Sequence, residues 1–279
     1  MIQLSCSPID NDSLLDIIIE NKNQKNREAL LPFKGKIKER YNYYMKHYNE
    51  LESIRSLGTE WQPIKDELIS CYGNNVAFLE AKKKLITAMP TIIQNNCPYC
   101  MLNRPNTLDH YFDKSDYPEY AVFIPNLVLC CSECNTLKGT TIFDSTGQRK
   151  FIHFYHDRIP DYQFLFIRFK NTNEDVIPEI KVYLQFRENG KQKDIITAHF
   201  HNLKLHKKYK DSINDKLSVI MIEIRSTVGS GYSYNDIQTI LIHRYQSMVA
   251  HYGFNYWESC IYEGILNSPD FLDNVVLGI

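Results

Sequence analysis

Two Cys-x-x-Cys pairs, Cys97/Cys100 and Cys131/Cys134, stand with 30 residues between them in a chain of 279. Each pair directs two sulfurs at one point, so two pairs can close a tetrahedral shell around a zinc ion and leave no position for water. A site of that kind constrains the fold strongly, because it ties both ends of the intervening segment to one ion. Cys6, Cys71 and Cys260 are scattered and read as ordinary structural thiols. Cys130 adjoins Cys131 and could compete for the metal.

The first residues, Met1 to Asp10, lack the basic start and apolar run of a signal peptide. No apolar stretch approaches the roughly 20 residues of a membrane helix. The expectation is a cytoplasmic protein with no membrane association, in which paired cysteines bind metal rather than form disulfides. Net charge is −1, so no global positive field marks a nucleic-acid binder. Local charge differs: residues 21–50 hold eight Lys/Arg (Lys22, Lys25, Arg27, Lys34, Lys36, Lys38, Arg40, Lys46) against three Glu, and a second basic run spans Lys204 to Lys210. Either run could meet phosphates, although a solvated helix face is the commoner meaning.

Apolar spacing predicts helices over Leu14–Glu20, Ala29–Ile54 (interrupted near Pro32 and Gly35) and Asn75–Met89. Lys150–Tyr155, Gln163–Phe169 and Ile177–Phe186 are rich in aromatic and β-branched residues and read as strands. Helix returns from Thr197, with breaks at Gly229–Gly231, Gly253 and Pro269. The expected organisation is a helical region at 1–90, a motif segment at 91–145, and strands followed by helices at 146–279.

The motif segment carries more than cysteines. Leu108-Asp109-His110-Tyr111 follows the first pair, Pro125-Asn126-Leu127 precedes the second, and Asn135 comes directly after Cys134, one turn before Lys138. Hydrolysis of a phosphodiester needs an activated water, a cation to neutralise charge on phosphate and leaving oxygen, and fixed geometry. A neutral imidazole, His110, can take a proton from water. Asp109 and Asn135 are hard oxygen donors suited to Mg²⁺. Asn126 can brace the loop between strand and helix by bonding backbone groups. Lys138 could meet phosphate. Because adjacent strand residues face opposite ways, Asp109 and His110 share a site only if the strand bends or the two reach a common edge. Asp113 and Asp116 read as loop polarity. His153 and His156 read as packing or hydrogen-bonding residues, and the Tyr252–Trp257 aromatic cluster as a core anchor.

On these residues, the segment from Cys97 to about Gly139 resembles the HNH (ββα-metal, treble-clef-like) endonucleases, in the version held by four zinc-binding cysteines. The resemblance implies an α+β protein: a zinc-stabilised ββα-metal nuclease core, helical N- and C-terminal regions and a few additional strands. It implies His110 as general base, Asp109 and Asn135 as ligands of a catalytic Mg²⁺ or Mn²⁺, Asn126 as the residue shaping the loop, and structural zinc on Cys97, Cys100, Cys131 and Cys134. Many members carry His where this chain has Asn135. The substrate implied is nucleic acid, with DNA favoured and RNA such as tRNA possible. The flanking sequences are more loosely similar to HNH proteins of bacterial anti-phage defence operons, including Septu-type and retron-associated nucleases, which implies an ABC-type ATPase as partner. A zinc ribbon that binds nucleic acid or protein without cutting is the alternative.

Overall fold

The computed structural model describes residues 3–6, 8–170 and 178–277. The described residues form a mixed fold dominated by helices, with two small antiparallel two-stranded sheets. It divides into two compact units, Gln3–Arg158 and Ile159–Ile279. The described residues of the region 1–90 and the motif segment 91–145 therefore share one unit, whose boundary falls at 158.

Among the described residues of the first unit, six α-helices precede the motif: α1 (Asn11–Glu20), α2 (Gln24–Leu30), α3 (Lys34–Lys46), α4 (Lys65–Ser70), α5 (Val76–Ala88) and α6 (Thr91–Asn95). Side-chain caps set several of their starts. Asp10 accepts from the amides of Asp12 and Ser13 at the head of α1, and Asn75 accepts from Phe78 N at the head of α5. Such caps satisfy amides that have no partner within the helix. The helical stretch expected over 29–54 is interrupted at Pro32 as expected, runs through Gly35 and ends sooner than expected. A 3₁₀ turn at Leu31–Phe33 accommodates Pro32, and α3 stops at Lys46, where the His47 imidazole bonds the Tyr43 carbonyl at 2.8 Å. Ile37, Tyr41 and Tyr44 of α3 are buried as the spacing predicts, whereas Tyr48 lies beyond the helix and is exposed.

The motif forms two strands and a short helix. Strand β1 (Thr107–His110) pairs antiparallel with β2 (Leu127–Cys130), with Asp109 opposite Val128 and His110 opposite Leu127. Helix α7 (Ser132–Lys138) follows β2 at once and ends at Gly139, whose φ of 61° is left-handed and suits glycine. The strand expected at Lys150–Tyr155 does not form. Phe151 through Tyr155 are buried in succession, without the alternation of a half-exposed strand. Their backbone is satisfied singly: Leu4 N donates to Phe154 O, Tyr111 Oη to Phe151 O, and His153 N to the Asp157 carboxylate.

In the second unit β3 (Leu165–Lys170) pairs antiparallel with β4 (Glu179–Leu184); Ile177, placed in the third expected strand, lies outside the described residues. Among the described residues five helices follow: α8 (Lys191–Asn202), α9 (Leu205–Gly229), α10 (Tyr234–Tyr252), α11 (Trp257–Leu266) and α12 (Pro269–Leu277), broken at the expected glycines and proline. Helix α11 crosses β3 so closely that a Cβ on Gly264 would sit 2.6 Å from Ile167 O. Asn255 fixes the start of β3, accepting from Phe164 N and Leu165 N and donating to Tyr162 O. Tyr256 and Trp257 are buried as core anchors, while Phe254 is exposed. Among the described residues no helix is long and apolar enough to cross a membrane.

Candidate metal centre and adjoining cleft

The fold brings all four paired cysteines together. Their sulfurs lie within 4.8 Å of one another, and all four are buried. A tetrahedron with zinc–sulfur bonds of about 2.3 Å has edges of about 3.8 Å, close to the 4.0 Å between Cys100 Sγ and Cys131 Sγ. None is in a disulfide. Among themselves the thiols compete for one negative charge: hydrogen bonds from the other three draw Cys131 down, while burial pushes Cys97 up and the same neighbours push Cys134 up. The cluster can hold zinc. Cys130 stands outside it, and burial pushes its thiol up.

Local structure explains the convergence. In the first pair, Met101 adopts a left-handed φ of 54°, and its amide donates to Cys97 O at 2.6 Å while Cys97 N donates to Asn103 O at 2.7 Å. In the second, Cys131 is the N-cap of α7, and its sulfur accepts from Cys134 N at 3.5 Å. The β1–β2 pairing then places the two turns side by side.

A cleft of about 390 Å³ opens beside the sheet, bordered among others by Tyr72, Asp109, His110, Asp113, Lys114 and Asn135. Adjacent strand residues do turn opposite ways. Asp109 faces Tyr99 and Lys138, and His110 faces Tyr72 and the Ala121 carbonyl, yet both border the cleft.

His110 is buried, and one of its nitrogens is assigned by its neighbour. Nε2 lies 2.8 Å from Ala121 O. A carbonyl only accepts, so Nε2 carries the proton and Nδ1 keeps its lone pair. Among the described residues Nδ1 has no hydrogen-bond partner. Burial pushes the imidazole down to about 4; the Ala121 bond opposes that shift and the Lys114 charge adds to it.

Asp109 is held at both oxygens. Oδ1 is 3.0 Å from Lys138 Nζ, and Oδ2 accepts from Tyr99 Oη at 2.6 Å. Burial raises its carboxyl above the ordinary value despite both partners. Each oxygen retains a further lone pair. With Asp113 and the Asn135 amide, the cleft offers the few hard oxygen donors that suit Mg²⁺ or Mn²⁺.

Two expectations are corrected. Lys138 is not presented to a phosphate: it is 3% exposed, paired with Asp109, and donates to His110 O at 2.8 Å. Asn126 is fully buried and braces the loop between the two strands, not the one between strand and helix. Its Oδ1 accepts from Phe112 N and its Nδ2 donates to Phe112 O and Tyr120 O.

The basic run at 21–50 is largely committed to protein. Lys22 caps Ser70 O, Lys34 and Lys38 pair with Asp16, Lys36 pairs with Glu60, and Arg40 pairs with the buried Glu119. In the run from Lys204 to Lys210, Leu205 and Tyr209 are core residues of α9. His153 and His156 stack at 4.3 Å between ring centroids, with His153 Nε2 2.9 Å from Tyr44 Oη.

Sequence reasoning missed Tyr99, Tyr72, Lys114 and the Ala121 carbonyl. Tyr99 lies inside the first cysteine pair, a positional signal that it would touch the site. Tyr72 carries no such signal, because only packing brings it to His110, ring centroids 4.4 Å apart.

Comparison with known proteins finds no matching family and no matching solved structure. The chain is 25% identical over 190 residues to protein ea31 of Escherichia phage lambda, a match covering 64% of this chain and 64% of that protein. The match thus spans less than two thirds of the relative's length.

Proposed function

We propose that this protein is a metal-dependent endonuclease of the HNH kind that hydrolyses phosphodiester bonds in nucleic acid, with DNA the favoured substrate. The observation that carries the reading is the state of His110: a neutral imidazole, proton fixed on Nε2, unpartnered Nδ1, bordering one cleft with Asp109 and Asn135. The adjoining four-cysteine cluster and the strand–strand–helix order of the segment support it.

In this mechanism His110 Nδ1 takes a proton from water as the water oxygen attacks phosphorus. The Ala121 carbonyl holds the ring in the required tautomer and stabilises the imidazolium that forms. Asp109 and Asn135 would hold a divalent cation, which supplies charge neutralisation at the phosphate and the leaving oxygen. Tyr99 and Lys138 keep the Asp109 carboxylate in place, and Asn126 keeps the loop that carries Ala121. A structural zinc on the four cysteines would fix the Cys97–Cys100 turn against the start of α7. Action in the cytoplasm as a bacterial defence effector beside an ABC-type ATPase belongs to the same proposal and rests on the flanking sequence alone.

The test incubates purified protein with supercoiled plasmid and with total tRNA, in Mg²⁺, in Mn²⁺ and in EDTA, beside the His110→Ala form. Cleavage by the wild type alone, abolished by EDTA, supports the reading and identifies the sugar. Equal cleavage by both forms removes His110 from the mechanism. Binding without cleavage in either form favours the non-catalytic zinc module.

A further inference from the structure

The cleft borders two carboxylates, Asp109 and Asp113, so an anionic substrate needs a cation there. Lys138, the obvious candidate in the sequence, is spent behind the cleft on Asp109. Among the residues bordering the cleft, Lys114 alone carries positive charge.

Three features set Lys114 apart. It is partly exposed, and no described carboxylate lies within ion-pair distance of its ammonium. The ammonium instead stands over the ring of Tyr72, 4.8 Å from the centroid. Tyr72 is itself anchored: its phenol donates to Leu108 O at 3.2 Å, and its ring is 4.4 Å from that of His110. The side chain is thereby held near the imidazole by a single cation–π contact at a partly exposed site, weak enough for an arriving phosphate to replace.

We infer that Lys114, held by Tyr72, is the residue through which the cleft grips a backbone phosphate of its substrate. This rests on the nuclease reading. The contact is blind to base sequence, because the backbone phosphate is the same at every nucleotide, while the Tyr72 ring that holds the ammonium is itself braced by Phe78 and His110. Lys114 is thus a substrate-binding residue that leaves proton transfer to His110.

The experiment measures binding of labelled 30-base-pair duplexes of two unrelated sequences by fluorescence anisotropy. The His110→Ala protein serves as the non-cutting parent, compared with versions also carrying Lys114→Gln or Lys114→Arg, each checked for an unchanged unfolding midpoint. One lost phosphate contact reduces the slope of log K against log salt by about 0.9, so the deficit of the Gln form shrinks about 3.5-fold between 50 and 200 mM salt. The expected result is that loss for both sequences, with Arg restoring the parental slope. In parallel, Lys114→Gln in the otherwise wild-type protein raises KM for cleavage. If the wild type cuts but the Gln form shows an unchanged slope and an unchanged KM, the Lys114 assignment is overturned and the nuclease reading stands. If the wild type neither cuts nor binds DNA or RNA, the nuclease reading falls and takes the assignment with it.

Discussion

Replacing Lys138 by Met separates the two roles open to this lysine. Its ammonium lies 3.0 Å from Asp109 Oδ1, and the two side chains are 0% and 4% exposed. At an effective dielectric of about 20, unit charges at that separation attract by about 5.5 kcal/mol. Removing one member of a buried pair leaves the other uncompensated, at a cost of about 3–5 kcal/mol. Methionine keeps the aliphatic stem but also deprives the His110 carbonyl of its donor. A loss of that size lowers the melting temperature of a unit of this length by roughly 6–20 °C. Thermal and urea unfolding, followed by circular dichroism, would show it. The double variant Asp109→Asn/Lys138→Met removes both charges and should recover much of the loss, with a coupling of at least ~2 kcal/mol. A Lys138→Met protein with an unmoved midpoint but weakened nucleic-acid binding would refute the reasoning and return Lys138 to the phosphate.

Two further outcomes follow from the same geometry. Metal analysis should find one zinc per chain, kept by Cys130→Ser and lost by Cys131→Ser; chelation should unfold the Gln3–Arg158 unit, since structural zinc contributes roughly 10 kcal/mol or more to such folds. Burial pushes His156 down to about 4, and holds His153 well below its ordinary value too. With folded values below the unfolded 6.5, the unfolded chain takes up protons first, so full stability holds above pH ~6.5 and is lost as pH falls toward 4. For His156 alone the loss reaches about 3 kcal/mol. Urea midpoints measured from pH 7.5 to 4.5 should fall less steeply in His156→Asn than in the wild type.

How far each part was legible depended on the range of the interaction behind it. The cysteine pairs were readable because a knuckle is a local turn that fixes ligand spacing, while the clustering of the thiols at 97, 100, 131 and 134 also needs the β1–β2 pairing that sets the two turns side by side. Helices α1, α5 and α8–α12 were largely readable because an apolar stripe and a cap or breaker lie within one segment. The strand expected at 150–155 failed because uninterrupted burial looks like a strand in sequence, while its backbone partners, Leu4, Tyr111 and Asp157, are set by packing.

The identity of the chemically capable residues was thus a property of the sequence, and their division of labour was a property of the fold. Sequence alone marked Asp109, His110, Asn126, Asn135 and Lys138 as a group. Only tertiary structure decided that Lys138 turns inward to Asp109, that Asn126 ties the loop between the strands, and that Ala121 leaves His110 Nδ1 free to accept. It also brought Tyr72 and Lys114 to the cleft, from either side of β1 in the chain. The physical reason is that a side chain's chemistry is intrinsic, whereas burial, hydrogen-bond direction and charge pairing depend on neighbours that sequence separation conceals.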